Sequence, residues 1–267
     1  MSRKNYGLCA LCRKEGELTF EHIPPRAAFN SNRAKIVTLD SLLSEPERRP
    51  WQIEGLHYNN LQKGMGMASL CKKCNNDTGT LYGEEYRKFA LTIAKLLQEN
   101  PNLDNLAIEI EKFYPARIIK QVISMFCSIN NYDDTRLNAL REFVLDKHKT
   151  MLDTSKYKVS MYYTRSRYAR LLPFTVSVHF DEGTSGIMCM SEITTYPFGF
   201  ILYLDPTDNW NYHGTDITSF SQFDYNTPVS AQLSVPIYEV NNWAIEDYRT
   251  KEEIEAGYKH DSENGFK

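Results

Sequence analysis

Two Cys-x-x-Cys pairs, Cys9-Ala-Leu-Cys12 and Cys71-Lys-Lys-Cys74, constrain this 267-residue chain more than any other feature. A Cys-x-x-Cys turn lets two sulfurs point at one ion, and four thiolates in two such turns suit one tetrahedral zinc. The alternative use of paired cysteines, a disulfide framework, belongs to exported chains. Here the first twenty residues carry Arg3, Lys4, Arg13, Lys14, Glu15 and Glu17, with no apolar run that would serve as an export signal. No stretch approaches the ~20 apolar residues of a membrane span. The expectation is a cytoplasmic protein with no membrane association, holding zinc through Cys9, Cys12, Cys71 and Cys74. Cys127 and Cys189 stand singly in apolar surroundings and read as small buried hydrophobes.

The segment between the pairs carries Phe20-Glu21-His22-Ile23-Pro24-Pro25, and Asn75-Asn76-Asp77 follows the second pair. Residues 7–20 read as a hairpin: a strand from Gly7 to Cys12, a polar turn over Arg13-Lys14-Glu15-Gly16, and a return strand through Leu18-Thr19-Phe20. Glu21 and His22 then fall at a strand end, where Pro24-Pro25 forbids further ladder or helix. A histidine before prolines also suits a mere turn. An acid, a histidine and amide side chains beside a zinc knuckle are nonetheless the raw material for a second, harder metal.

In this order the motifs resemble the zinc-bearing branch of the HNH endonucleases, which share the ββα-metal fold. Members of that branch place a Cys-x-x-Cys on a first hairpin, then an acidic-His-Ile/Val-x-Pro signature. A second Cys-x-x-Cys follows, and then Asn or His where a helix starts. The corresponding residues are Cys9/Cys12, Glu21-His22-Ile23-Pro24, Cys71/Cys74 and Asn75, within the first third of the chain. The resemblance implies a structural Zn²⁺ and a catalytic Mg²⁺ or Mn²⁺ held by Glu21 and Asn75, with Asn76 or Asp77 as alternatives to Asn75. It makes His22 the general base. Glu21 stands where many members have Asp, and the family's middle Asn has no clear match, Asn30, Asn59 and Asn60 being the candidates. Arg26, Lys72, Lys73, Arg87 and Lys88 are the nearest cations and the expected phosphate contacts.

Charge divides the chain: residues 1–88 carry a net +4 and residues 89–267 a net −7. This fits a phosphate-binding head, residues 1–88, on a recognition or assembly domain, residues 89–267. Within 26–70 an irregular excursion is expected. It has a strand at Ile36–Leu39, a short helix at Leu42-Leu43, breaks at Pro46 and Pro50, and Trp51, Leu56 and Tyr58 packing it down. The Gly64-Met65-Gly66 pair reads as a close approach to backbone or phosphate. After Cys71 a short helix ends at glycines 79 and 83, and a second runs from Glu84 to Glu99. The remainder reads as α+β. Leu106, Ile108 and Ile110 alternate as a strand, and helices start at Pro115 and Arg136. Five further strand-like runs then suggest an antiparallel sheet with helices on one side. The last dozen residues read as frayed.

The fold class expected is therefore α+β, a zinc-stabilised, treble-clef-like HNH module followed by an α+β domain. The function expected is metal-dependent hydrolysis of nucleic-acid phosphodiesters, DNA rather than RNA, in a setting such as restriction or phage defence. The C-terminal domain would contact substrate or a protein partner. The alternative is a silent zinc module that only binds nucleic acid or protein.

Overall fold

A computed structural model describes residues 5–44, 51–52, 54–181 and 184–263. Pro46 and Pro50, read as breaks, lie outside the described residues. The chain is mixed α and β, with mainly antiparallel sheets.

The N-terminal third is built on a three-stranded antiparallel sheet in the order β1 (Asn5–Leu8), β2 (Glu15–His22), β5 (Gly66–Cys71). The first hairpin is shorter than its sequence suggests. Leu8 pairs with Glu15, so Cys9 to Lys14 form the turn and neither cysteine of the first pair lies on a strand. Ladder amides are given up there for a tight knuckle: Cys9 N–H donates to Lys14 O and Arg13 N–H to Cys9 O, both at 3.0 Å. Arg13 adopts a φ of 57° to close it. β5 has no counterpart in the sequence reading, because Gly66-Met-Ala-Ser-Leu-Cys71 lacks the β-branched alternation of a typical strand. Its glycine explains why it forms. A Cβ at Gly66 would lie 2.0 Å from Glu21 O, and one at Gly64 2.1 Å from Asn30 O. Both glycines thus permit close backbone approach.

Between β2 and β5 the excursion is more regular than expected. β3 (Ala34–Val37) pairs antiparallel with β4 (Tyr58–Leu61), with α1 (Leu39–Leu43) between them. Leu56 is buried beneath it, whereas Tyr58 is exposed.

From Lys72 the chain is helical to Glu99: α2 (Lys72–Thr78) and α3 (Glu84–Glu99) are joined by one wide π turn over Gly79–Gly83. The glycines do not interrupt the helix, as the sequence suggested. They keep helical φ values of −59° and −62° and absorb the extra residue. Tyr86, Phe89, Ala90, Ile93 and Leu97 make its buried face, and Phe89 stacks on Phe198 with ring centres 5.0 Å apart. The 88/89 position thus falls inside α3.

Next come β6 (Asn105–Phe113), α4 (Pro115–Ile129) and α5 (Asn138–Leu145). α4 is apolar on nearly every side, and of its fifteen residues only Arg117 is not buried, as befits a central helix. β7 (Tyr157–Tyr163), β8 (Arg170–Asp181), β9 (Thr184–Thr195), β10 (Phe198–Leu204) and β11 (Thr215–Asp216) form one sheet in the order β11-β7-β10-β9-β8. β12 (Val229–Pro236) pairs with β6. The helices cover one face of the five-stranded sheet. The other face carries Tyr162, Met188, Met190, Ile201 and Tyr203 under the segments that hold Trp210, Tyr238 and Tyr248. The C-terminal residues are not frayed throughout, since α6 (Lys251–Glu263) includes them up to 263. Among the described residues no helix is long and apolar enough to cross a membrane.

One buried cluster runs from Cys9, Leu11 and Ile23 through α3 and α4 to Phe198 and Ile237, so the cysteine knuckle and the C-terminal two thirds share a core. Arg141, 3% exposed on α5, fastens the two polar surfaces together. Its Nε donates to Ala10 O at 3.1 Å, inside the knuckle. Its terminal nitrogens donate to Asp134 O, Asn138 Oδ1 and Tyr132 O. Asn131 adds a hydrogen bond to Leu8 O and accepts one from Arg13. Arg141→Met keeps the aliphatic stem and strands three backbone carbonyls. A loss on the order of 3 kcal/mol is expected, lowering the melting temperature by roughly 6–12 °C in a calorimetric scan.

Candidate metal and phosphodiester site

The four sulfurs of Cys9, Cys12, Cys71 and Cys74 lie within 4.8 Å of one another, those of Cys12 and Cys71 at 3.9 Å. A tetrahedral zinc with bonds of about 2.3 Å separates its sulfurs by about 3.8 Å, so the cluster is of the size needed to hold one ion. Local backbone places them. The knuckle turn carries Cys9 and Cys12, Cys71 is the N-cap of α2, and Cys74 lies in its first turn. Ala10 N–H donates to Ser69 O at 2.8 Å and Cys71 N–H to Cys9 Sγ at 3.3 Å, so the two halves meet by main chain as well. The Cys9 thiol is pulled down to about 4, first by the hydrogen bond from Cys74 and then by nearby amides, against the cost of burial. Cys74, as donor in that pair, is pushed far up. Among the described residues no second group of three or more histidines, cysteines, aspartates or glutamates comes together in this way.

β2 passes beside this cluster, and its alternation sorts the next residues. Thr19 and Glu21 share the face turned to α2. Asn75 reaches that face, its Nδ2 donating to Thr19 Oγ1 and to Phe20 O, both at 3.0 Å. Thr19 Oγ1 itself donates to Leu70 O, so it accepts from Asn75. The amide nitrogen therefore faces the strand, and Asn75 Oδ1 is the atom turned away from it, a hard oxygen available to a cation. Asn76 and Asp77 are exposed, and Asp77 is ion-paired with Lys73.

Glu21 is 6% exposed, and among the described residues its carboxylate takes part in no hydrogen bond or ion pair. Burial alone pushes its carboxyl from the ordinary 4.5 up to about 8. His22 and Phe20 occupy the opposite face of β2, their rings meeting edge to face at 5.0 Å. His22 Nε2 lies 3.0 Å from Lys63 O. A carbonyl can only accept, so Nε2 carries the hydrogen and Nδ1 keeps its lone pair in the neutral ring.

Asn30 holds the loop below this strand end. It is 5% exposed, donates to Pro24 O at 2.7 Å and to Met65 O at 2.8 Å, and accepts from Met65 N–H at 2.6 Å. Of the three asparagines considered as the middle Asn, this one joins the chain after His22 to the chain before β5, and its hydrogen bonds go to Pro24 and Met65 rather than to the His22 ring. Asn59 and Asn60 lie on β4 with exposed side chains. Of the expected phosphate contacts, Arg26, Lys72 and Lys73 are exposed, Lys73 on Asp77. Arg87 makes two hydrogen bonds to Glu84, and Lys88 lies 3.9 Å from Glu85. Arg141 and Asn131 support the knuckle and were missed by the sequence reading, since no local signal ties them to residues 120 or more positions away.

No protein family, no curated protein and no solved structure matches this chain.

Purified protein should contain about one zinc per chain by elemental analysis, and Cys74→Ser should lose the zinc and melt at lower temperature. Zinc-free protein with an unchanged fold would show that the thiols are not a metal site. Glu21 gives a pH signature. The folded state binds a proton that the unfolded state has released, so without divalent cation stability falls as pH rises from about 4.5 to about 8. Glu21→Gln should therefore raise the melting temperature at pH 8 and change it little at pH 4.

Proposed function

We propose that this protein is a metal-dependent endonuclease of the HNH type, hydrolysing nucleic-acid phosphodiester bonds at the end of β2. The observation that carries the reading is the buried carboxylate of Glu21, without a partner among the described residues, on the strand face that the Asn75 amide reaches at Thr19. A carboxylate out of water and without a counter-charge is unfavourable by several kcal/mol, so such a group is protonated or meets a cation. One carboxylate oxygen and one amide oxygen form a sparse, hard donor set. That suits Mg²⁺ or Mn²⁺, which fill their remaining positions with water and substrate phosphate. The thiolate cluster suits zinc and leaves no open position, so its role is to hold β2 against α2.

The chain's own residues then divide the work. Glu21 and Asn75 would hold the divalent cation, which when bound would offset charge on the scissile phosphate and on the leaving 3′ oxygen. His22, fixed through Nε2 by Lys63 O, takes a proton from the attacking water at Nδ1. Glu21 and His22 leave β2 on opposite faces, so the substrate phosphate would have to be seated over the strand end to meet both. Asn30 keeps that strand end in place by tying Pro24 to Met65. The resemblance of Cys9/Cys12, Glu21-His22-Ile23-Pro24, Cys71/Cys74 and Asn75 supports the same reading.

The test is cleavage of supercoiled and single-stranded circular DNA, and of RNA, with Mg²⁺ or Mn²⁺ added. His22→Ala should keep zinc content and melting behaviour while cleavage falls by about 10² or more, the usual contribution of a positioned base. Glu21→Ala should lose cleavage through weaker cation binding, and raised Mn²⁺ should restore part of it. His22→Ala should show no such recovery, because extra cation supplies no proton acceptor. Wild-type cleavage by His22→Ala would overturn the assignment and favour a zinc module that only binds. If His22→Ala unfolds, His22→Asn replaces it in the same comparison.

A further inference from the structure

A groove opens between the excursion that carries β3 and β4 and the start of β8. Pro24, Asn30 and Met65–Met67 line one end, and residues 165–173 and 241–243 the other. Gly66 and Met67 stand directly across the ladder from His22 and Glu21, so the groove runs up to the end of β2. Its volume is about 1530 Å³, beyond the ~300–1,000 Å³ of small-molecule pockets. That size admits a segment of a polymer.

The lining has a definite chemistry. Arg165 is engaged by the carbonyls of Leu103 and Asn100, and Arg170 by Glu192 and the Ala244 carbonyl. Arg33, Lys35 and Arg167 are exposed, and among the described residues no acid pairs with them. Among the described lining residues Glu54 is the one acidic side chain, against the cations Arg33, Lys35, Arg165, Arg167 and Arg170. Three exposed rings lie among these cations: Phe29 (42%), Tyr58 (41%) and Tyr168 (43%). Lys35 Nζ sits over one face of the Tyr58 ring, 4.4 Å from its centre, so a base would stack on the opposite face with a phosphate donor at the same ring. Phe29 is held at φ 64°, a left-handed conformation costly for a bulky residue. The buried Asn30 hydrogen bonds next to it sustain that conformation.

We infer that this groove binds a single-stranded segment of nucleic acid, with Arg33, Lys35 and Arg167 on its phosphates and Phe29, Tyr58 and Tyr168 stacked on its bases. Cations alone would serve duplex phosphates equally well. Exposed rings interleaved with them serve only bases that are unpaired, because duplex bases present their faces to one another. The inference deepens the proposed hydrolysis, since the strand so held would lead to Glu21 and His22, and it rests on that reading for its direction.

The test is fluorescence anisotropy with a dye-labelled mixed-sequence oligonucleotide of about fifteen nucleotides, a length on the scale of single-strand sites. It is supplied as single-stranded DNA, as single-stranded RNA and as the DNA duplex, with neither divalent metal nor chelator added. Single strands should bind about tenfold or more tighter than the duplex, and the DNA and RNA arms decide which sugar is preferred. Arg33→Ala with Arg167→Ala should weaken binding and flatten the log–log salt slope by about 1.4, near 0.7 for each lost phosphate contact. Tyr168→Ala should weaken binding at least about fivefold with the slope unchanged, which a merely structural residue would not do. Arg33→Lys with Arg167→Lys should retain the slope. Zinc content and melting temperature, measured on each variant, separate lost contacts from lost fold. Duplex bound as tightly as single strand, or the double alanine variant binding like wild type, overturns the inference. Single-strand binding without any metal-dependent cleavage would instead sink the proposed hydrolysis and leave the groove standing.

Discussion

The four-thiol cluster is the constraint on which the N-terminal third depends. The β1–β2–β5 sheet is small, with strands of four, eight and six residues, and exposes much of one side. A sheet of that size has too little apolar area to order the Cys9–Lys14 knuckle and a helix start unaided. Four sulfurs within 4.8 Å supply what the sheet lacks, joining the turn after β1 to the first turn of α2. Once those two points are fixed, β2 must run beside α2, and Asn75 meets the Thr19–Phe20 main chain. The positions of Glu21, His22 and Asn75 thus follow from a cysteine cluster some residues away.

The cluster does not hold alone, because the knuckle is also a contact surface. Arg141 reaches Ala10 O from α5, Asn131 reaches Leu8 O, and Leu11 and Ile23 enter the core built around α4. A guanidinium buried with four acceptors is stable only while every acceptor keeps its place, so knuckle and helix layer are coupled in both directions. The π turn over Gly79–Gly83 belongs to the same arrangement. It lets one helix start at the cysteines and continue into the core with its apolar face turned correctly toward Phe113 and Phe198.

Much of this was legible in the sequence, and the reason is spacing. Cys-x-x-Cys pairs, the alternation of Leu106-Ile108-Ile110 and the apolar periodicity of α3 and α4 are local patterns, and each corresponds to an element. β5 was not legible. Its residues carry no strand signal, and it forms because Gly64 and Gly66 allow backbone contact with Asn30 and Glu21, residues distant in the chain. The role of Asn30 was open for the same reason, since its three hydrogen bonds go to Pro24 and Met65 across a 35-residue excursion. Glycines 79 and 83 misled in the opposite sense: read locally they are breakers, yet the packing of α3 on α4 keeps them helical.

Glu21 is where local and global preferences conflict most sharply, and the conflict points to a function. A glutamate on a buried strand face gives up hydration, and no described lysine, arginine or backbone amide replaces it. A structural role would be filled at lower cost by threonine, valine or glutamine, each of which suits a buried strand position without carrying a charge. A neutral, protonated carboxyl would satisfy the energetics, since burial lifts its titration to about 8, but it would leave Asn75 Oδ1 and the His22 lone pair with no common purpose. A hard divalent cation meets all three conditions together. In the proposed reading it would compensate the buried charge and take the amide oxygen, while His22, whose other nitrogen is already fixed, would serve as base. The least favourable side chain of the N-terminal third is on this view its most informative one.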